Sequence, residues 1–544
     1  MSPRQRAIYR AFSLLYVIVI VWFCSNWFDL PHVLPNNFEW SSGSDLLDLV
    51  LFAGLTLTIG FPLFTSFLPW IVAGRMKAGA APAGELQPAR VAMITTYVPG
   101  AEPLGLLEST LRAMLAVRDL PGWTHDTWVL DEGDDEAVKS LASRLGVHYF
   151  TRGGIPEWNT LGGRFAARTK GGNHNAWYHA VGFRSYDFVS QWDTDFQVQP
   201  QALERILPHF AEERVAWVGT PQIYANTESF IARGAAEQGY QFYGSFNRGL
   251  SSEGHGMMLG ANHTVRVAAL AEIGGYEAHL TEDLATGTSL HSRGWQSRYI
   301  PEALGLGEGP TTLTAYFKQQ FRWAKGCIDL LLTSTWRKAR RMPVPLAVMY
   351  LWLQQFYFTG AAFGVGVVLM TLNFGFGWKG TMLPLLPFLS SYIPMLLMVE
   401  LTQWWLQRFN ARPAVERGLY LRGRVMGALA VPVYLFANIA AFRDRGQHTV
   451  FEVTPKAGSI EIRLKHRGQP SVFRPHVVVT SIAGVGMVVA LLLDHVDVVN
   501  FFWASVLTAT GIGLGTALAW PRLRALARRQ SALVVGRLTP AARR

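Results

Sequence analysis

Long apolar segments at both ends of the chain, separated by a mixed-polarity stretch between residues 89 and 310, constrain this fold more than any other feature. Ala11 to Phe28 and Leu46 to Val72 lie before that stretch. Leu346 to Leu372, Leu383 to Leu406, His476 to Leu493 and Val498 to Trp520 lie after it. Each is long enough to cross a bilayer as a helix. Half of the 544 residues are hydrophobic and only 16% are charged, which is low for a soluble protein. The composition therefore indicates a membrane protein with a sizeable soluble part.

The net charge of +11 does not point to nucleic acid, because Lys and Arg cluster beside the apolar segments, where they report cytoplasmic loops. Arg4, Arg6 and Arg10 precede the first segment, whose length and lack of a small-residue cleavage site favour an anchor over a signal peptide. The loop from Asp29 to Asp45 holds no Lys or Arg. It is expected outside, with the N-terminus inside. Cys24 and Cys327 are the only cysteines and suggest neither a disulfide framework nor a metal site.

One further segment, Val425 to Phe442, is apolar but interrupted by Pro432 and Asn438 and flanked by Arg422, Arg424, Arg443 and Arg445. Counted as a span, it would place Lys456, Arg463, Lys465, Arg467 and Arg474 outside; laid on the inner surface, it keeps them cytoplasmic. The reading is six spans and one interfacial helix. The basic tail Arg522 to Arg544 is expected to be cytoplasmic, and no internal repeat is visible.

Residues 1–76 form the N-terminal membrane region and 77–88, within an Ala-, Gly- and Pro-rich run, a linker. From 89 to 310 strand-like and helix-like patterns alternate, the signature of an α/β domain. Strands are expected at Val91 to Tyr97, Thr127 to Leu130 and Asp187 to Trp192, and helices at Pro103 to Val117, Glu136 to Leu145 and Asn173 to Phe183. Residues 311–341 read as an interfacial helix region containing Gln319-Gln320-Phe321-Arg322-Trp323, and 342–544 as the C-terminal membrane region.

Several motifs carry chemistry, each with a plainer alternative. Asp193-Thr194-Asp195 follows an apolar strand; two carboxylates there suit a divalent cation, or form a surface loop. Asp131-Glu132-Gly133-Asp134-Asp135 either receives a nucleotide base or caps the next helix. Lys170-Gly171-Gly172-Asn173 either holds phosphate or is a flexible loop ending in an Asn cap. Thr281-Glu282-Asp283 supplies a general base if partly buried, or an ordinary N-cap with acidic first-turn residues. Arg322 can grip phosphate with its planar fork and Trp323 can stack on a sugar, or the segment is an amphipathic helix on the membrane. Phe451 to Lys456 is, by its residues alone, a connecting loop.

Taken in order, Asp131, Asp193 with Asp195, Thr281-Glu282-Asp283, Gln319 with Arg322-Trp323, and Phe451-x-Val453-Thr454-x-Lys456 resemble the motif set of the processive membrane glycosyltransferases of family two, most closely the bacterial cellulose synthases. The resemblance covers residues 90 to 457. It implies a GT-A type α/β glycosyltransferase domain, with a mixed, mostly parallel sheet and flanking helices, inserted in an α-helical transmembrane bundle. Thr96, Tyr97, Glu102 and Asp131 would contact the nucleoside, Lys170 would lie near the diphosphate and Asp193 would support the nucleotide. Asp195 would ligate Mg2+ or Mn2+, and Asp283 would be the general base of an inverting transfer. Gln319 and Arg322 would hold the diphosphate and Trp323 the acceptor sugar. Thr454 and Lys456 would reach over the nucleotide from a gating loop at 449–458.

The chain departs from that pattern at three places. Glu132 stands where a second Asp is usual. Met258-Leu259-Gly260-Ala261-Asn262 replaces a Phe-Cys-Gly-Ser type of segment beside the acceptor, which bears on linkage. No cyclic-di-GMP-binding barrel is expected after the sixth span. The implied function is polymerisation of a β-glucan from UDP-glucose onto a growing polysaccharide acceptor, with secretion through the membrane. A lipid acceptor, a β-1,3-glucan or another β-polysaccharide, and an inactive scaffold are the alternatives. The other implied partners are membrane lipids and a possible periplasmic or accessory subunit. The catalytic domain and both termini would be cytoplasmic at the inner or plasma membrane.

Overall fold

The computed structural model describes residues 1–29, 43–77, 88–446 and 472–515. Thr454 and Lys456, with the whole 449–458 element, lie outside these residues, as do most of the 77–88 linker and the basic tail.

Ten strands are described: β1 (Ala89–Tyr97), β2 (Trp123–Asp131), β3 (His148–Thr151), β4 (Phe188–Gln191), β5 (Gln197–Val198), β6 (Val215–Gly219), β7 (Ile223–Tyr224), β8 (His263–Arg266), β9 (Gln296–Tyr299) and β10 (Gly305–Gly307). Seven of them build one sheet in the order β3-β2-β1-β4-β8-β6-β9, and β5-β10-β7 form a smaller one. β3, β2, β1 and β4 run parallel, β8 runs antiparallel to both β4 and β6, and β9 is parallel to β6. Helices flank the sheet on both faces, each burying an apolar stripe against strand residues such as Val91 and Met93 on one side and Ile94 and Val189 on the other. This is the α/β domain the alternating patterns imply, with the mixed, mostly parallel sheet that the resemblance implies.

Tyr97 pairs with Asp131 in register, so the C-terminal ends of β1 and β2 open at the same sheet edge, with β4 ending beside them. Ligands of open α/β sheets bind at that edge. The helix Glu136–Leu145 starts on Asp135, whose carboxylate accepts from Ala137 N at 2.7 Å.

Among the described residues, seven helices are long and apolar enough to cross a membrane: Pro3–Trp27, Asp45–Gly74, Val344–Phe376, Leu385–Gln407, Leu421–Arg443, Arg474–Leu492 and Val498–Gly515. The seventh of spanning length, beyond the six predicted spans, is Leu421–Arg443, the segment read as interfacial. Its buried face, Gly423, Met426, Ala430, Val433 and Ala437, meets helices of the α/β region. Gly423 N donates to Glu237 Oε2 at 2.9 Å and Tyr434 OH to Gln320 Oε1 at 2.8 Å. The opposite face exposes Leu421, Val425, Ile439 and Phe442. It is therefore apolar on both faces, which explains why hydropathy alone did not distinguish a span from a surface helix.

The Val344–Phe376 helix contains a 3-10 turn at Phe356–Phe358 that periodicity did not indicate. Asn438 Nδ2 donates to Tyr357 O at 3.1 Å, rewarding the altered backbone there. By contacts the chain forms two compact units, one of Met1–Val33, Ile59–Ala361 and Leu383–Val472, the other of Leu34–Thr58, Ala362–Met382 and Phe473–Arg544. The first contains both sheets.

Candidate active site

Helix Lys170–Trp177 brackets the site. It begins three residues earlier than predicted, because Thr169 rather than Asn173 is its cap, accepting from Gly172 N at 3.0 Å. Asn173 is thereby free to do something else: its amide donates to Glu132 Oε2 at 2.8 Å. His174 Nε2 and Thr96 Oγ1 share a hydrogen bond of 2.8 Å. Asn175 pairs its side-chain amide with the backbone N and O of Tyr276, at 2.7 and 2.9 Å. Three successive residues thus tie the ends of β2 and β1 to the segment that leads to Asp283. The glycines pack rather than flex: a Cβ on Gly172 would fall 2.2 Å from Ala166 O.

Lys170, at the first turn of this helix, places Nζ 2.5 Å from Asp193 Oδ1 and also donates to Gly260 O. Burial works to lower its pKa, but Asp193, Glu282 and Asp283 outweigh it and raise the value, so the ammonium stays charged. His174 beside it is held neutral by burial, with the Lys170 charge adding to the effect.

The acidic turn after β2 is largely self-contained. Asp131 is fully buried and accepts from Gly133 N at 2.9 Å, Asp135 N at 2.6 Å and Tyr149 OH at 2.9 Å. These are the bonds of the turn-capping alternative. Glu132, the departure from the family pattern, forms a fork with buried Arg152, whose Nε and Nη2 donate at 2.9 and 2.6 Å. Arg152 also donates to the carbonyls of Trp158, Ala166 and Thr169, fastening the loop before Lys170. Sequence reading had no signal for this hub.

Tyr97 OH donates to Glu102 O at 2.9 Å, while Glu102 accepts from the Thr194 hydroxyl. The Asp193-Thr194-Asp195 turn is thus anchored through its middle residue, leaving the flanking carboxylates to be aimed by it. Thr110 Oγ1 adds a bond to Thr194 O at 2.7 Å. Asp195 is buried and Asp193 partly exposed.

At Thr281-Glu282-Asp283 the helix Glu282–His291 begins, but Thr281 makes no side-chain cap bond with it. Glu282 and Asp283 are not solvated first-turn acids either. Burial raises the pKa of both, and in Glu282 the Asp283 charge raises it further. Asp283 Oδ1 accepts from Leu284 N at 2.8 Å; its Oδ2 faces Gly260, where a Cβ would stand 3.4 Å away. Leu259 is buried with Leu284, Ala285 and Cys327, and the neighbouring Gly260 presents only backbone to Asp283. Asn262 takes a left-handed φ of 60° held by bonds to Gln191 O and Pro221 O.

Helix Leu313–Leu330 brings the last group. Burial lowers the pKa of Arg322 while Glu282, Asp193 and Asp283 oppose that shift, so all four lie close enough to interact. Gln319 Nε2 is 3.5 Å from Tyr224 OH. Trp323 is partly buried, and among the described residues its indole has no stacking or hydrogen-bond partner. Two tyrosines escaped sequence reasoning: Tyr224, near Arg322, and Tyr243, near Asp283, whose OH donates to Gln222 Oε1 at 2.9 Å.

The structure therefore assembles Lys170, Asp193, Glu282, Asp283 and Arg322 into one largely desolvated cluster of two cations and three carboxylates, with Glu282 buried and Asp193 at its exposed edge. Thr96, Tyr97, Glu102 and Asp131 form the adjoining strand-end group. Among the described residues no three His, Cys, Asp or Glu side chains form a metal-ligating group.

Residues 191–431 match the family model described as glycosyl transferase family group 2. That range includes Asp193, Asp195, Asp283, Gln319, Arg322 and Trp323, but not Lys170 or the strand-end group. The chain is 31% identical over 172 residues to a UDP-forming catalytic subunit of cellulose synthase from Dictyostelium discoideum, a match covering 31% of this chain and 16% of that protein. It is 28% identical over 211 residues to the beta-monoglucosyldiacylglycerol synthase of Synechocystis sp., covering 38% of this chain and 42% of that one. The matches thus span less than half the length of either relative. A mannosyltransferase from Pyrobaculum calidifontis, solved with GDP-Man and Mn2+, aligns over 68% of this chain and 100% of its own at 15% identity, with a TM-score of 0.46.

Proposed function

We propose that this chain, whose residues 191–431 match the model of glycosyl transferase family group 2, is an inverting, processive synthase that extends a β-glucan from UDP-glucose at the cytoplasmic face and passes the product through its own membrane region. The observation that carries the reading is the charge cluster: Asp283 stands within range of Lys170 and Arg322, and the Trp323 ring, which has no stacking partner among the described residues, is on the same helix as Arg322.

In this reading the acceptor sugar stacks on Trp323, and Asp283 takes the proton from its terminal hydroxyl as that oxygen bonds to the anomeric carbon. The bond from that carbon to the β-phosphate oxygen breaks, and UDP leaves with the electron pair. Lys170 and Arg322 face the charge that develops on the leaving diphosphate. Attack from the side opposite the leaving group inverts the anomeric configuration. Thr96, Tyr97, Glu102 and Asp131 line the nucleoside end, and Gln319 the diphosphate.

The donor set fits a hard divalent cation: Asp195 and Asp193 offer carboxylate oxygens on one anchored turn, and nucleotide phosphates would complete the coordination. Mg2+ or Mn2+, when bound, would offset charge on the departing diphosphate. Leu421–Arg443 lies on the inner membrane surface in this reading, its exposed apolar face toward lipid, which keeps its flanking arginines cytoplasmic.

The test is product size when the purified full chain receives labelled UDP-glucose with Mg2+ or Mn2+. Long, alkali-stable glucan supports the synthase. The similarity to a glucosyldiacylglycerol synthase favours a second reading, single transfer to a lipid acceptor; short, lipid-extractable product would select it and remove the polymer.

A further inference from the structure

Arg322, Gly326 and Asp329 fall at i, i+4 and i+7 of helix Leu313–Leu330 and so share one face. That face meets the start of the helix that bears Asp283. Arg322 lies within electrostatic range of Asp283. A Cβ on Gly326 would come 2.6 Å from Thr281 Cγ2, so the helices press together there with no room for a side chain. One turn on, Asp329 Oδ2 is 3.0 Å from His279 Nε2.

The other side of the imidazole is equally occupied. His279 Nδ1 lies 3.1 Å from Thr281 N and 3.0 Å from Thr281 Oγ1. A backbone N–H can only donate, so Nδ1 is the acceptor and the ring proton sits on Nε2, donating to Asp329. Thr281 occupies the cap position of helix Glu282–His291 without capping it through its hydroxyl. The imidazole two residues earlier holds the Thr281 amide instead. Asp329 spends its second oxygen on Gly446 N at 3.0 Å. The pair's side chains are only 15% and 16% exposed, so this is not a solvated surface ion pair of negligible effect.

We infer that His279 is a positioning residue: bridging the Thr281 amide to Asp329, it locks the start of the Asp283 helix onto the helix of Arg322 and Trp323, fixing base, leaving-group cation and acceptor platform relative to one another. Nothing in the motif set includes His279 or Asp329. Their link joins residues 50 positions apart in the chain. The consequence for catalysis rests on the glycosyltransferase reading above; the lock itself does not. Displacing a reacting group by an ångström costs on the order of a hundredfold in rate.

The experiment uses the full chain in nanodiscs, with UDP-glucose and Mg2+ or Mn2+ as probe, and compares the parent with His279→Ala, Asp329→Ala and the double variant. The expected kcat for UDP release falls about 10- to 100-fold in each single variant. The double variant falls no further than the worse single, as for two groups of one unit. The KM for UDP-glucose is expected to hold, and amide exchange over residues 282–291 to quicken. Additive losses, or parental kcat with parental exchange, would overturn the inference. Should His279→Ala not fold, His279→Asn, which keeps an acceptor near the Thr281 amide but cannot reach Asp329, is read by the same measures. A parent that releases no UDP overturns the glycosyltransferase reading alone; exchange then decides the lock, faster exchange in the variants supporting it and unchanged exchange overturning it.

Discussion

Lys170 Nζ lies 2.5 Å from Asp193 Oδ1, so the ammonium that we propose faces the leaving diphosphate is held in advance by a carboxylate of the Asp193-Thr194-Asp195 turn. The two residues are 23 apart in sequence, and the bond aims Lys170 before any substrate arrives. A preset charge avoids reorganisation during the reaction.

Replacing Lys170 by Gln removes that charge and leaves Asp193 without its partner. UDP affinity is expected to drop about tenfold, the scale of one charge-assisted hydrogen bond. Calorimetric titration of UDP checks it, and undiminished binding would place Lys170 away from the diphosphate.

Asp283→Asn keeps the shape of the side chain but cannot accept the proton. Turnover is expected to fall by about 10²- to 10⁴-fold, with UDP still binding. UDP-release kinetics beside UDP titration separate the two effects; parental turnover would move the base elsewhere.

Burial raises the pKa of Asp283, and as the proposed base it must be ionised to act. Rate is therefore expected to rise with pH through a value above that of an ordinary aspartate, then level off. Glu282 is raised as well, first by burial and then by the Asp283 charge. Asp283 therefore ionises first, while Glu282 is still protonated, and Glu282→Gln, which keeps that neighbour neutral, is expected to leave the acid limb in place. A kcat profile across pH checks this; a limb that moves to lower pH in the variant would mean that Glu282 already carries a charge when Asp283 titrates.

Asp195→Ala is expected to abolish the dependence of donor binding on Mg2+ or Mn2+ and to lower affinity for UDP-glucose. The control is the parent treated with EDTA, which should lose activity and regain it when the cation is restored. Donor binding by the parent that ignores the cation would remove Asp195 from the metal role.

Single cysteines at Ala414 and Arg443, placed in a background without Cys24 and Cys327, report the course of the intervening helix. A surface helix leaves both accessible to an impermeant thiol reagent from the cytoplasmic side only. Labelling from opposite sides would make Leu421–Arg443 a span.

Much of the scaffold was legible because its causes are local. The apolar runs of β1, β2 and β4 and the helix Glu136–Leu145 follow from period and capping, and the long helices from length and hydropathy. β8 was not foreseen: it lies antiparallel between β4 and β6, and nothing in the four residues His263–Arg266 encodes that choice of neighbours. The cap at Thr169 was missed because Asn173, the better-known capping type, is drawn away by Glu132.

At the site, residue types in order were enough to select Asp193, Asp195, Asp283, Arg322 and Trp323 as candidates. They could not reveal that Glu282 is more deeply buried than Asp283, that Leu259 packs into the core while Gly260 faces the Asp283 carboxylate, or that Arg152 organises the loop before Lys170. Those facts depend on partners distant in the chain: burial sets a carboxylate's pKa, and only folding decides burial. The sequence by itself determined a membrane-embedded chain with an α/β domain and an ordered set of charged and aromatic motifs, since hydropathy and residue chemistry are properties of the chain. The tertiary structure alone decided which of those charges meet, because Coulomb interactions and hydrogen bonds depend on distances that Gly326, Asn175 and His279 set by packing.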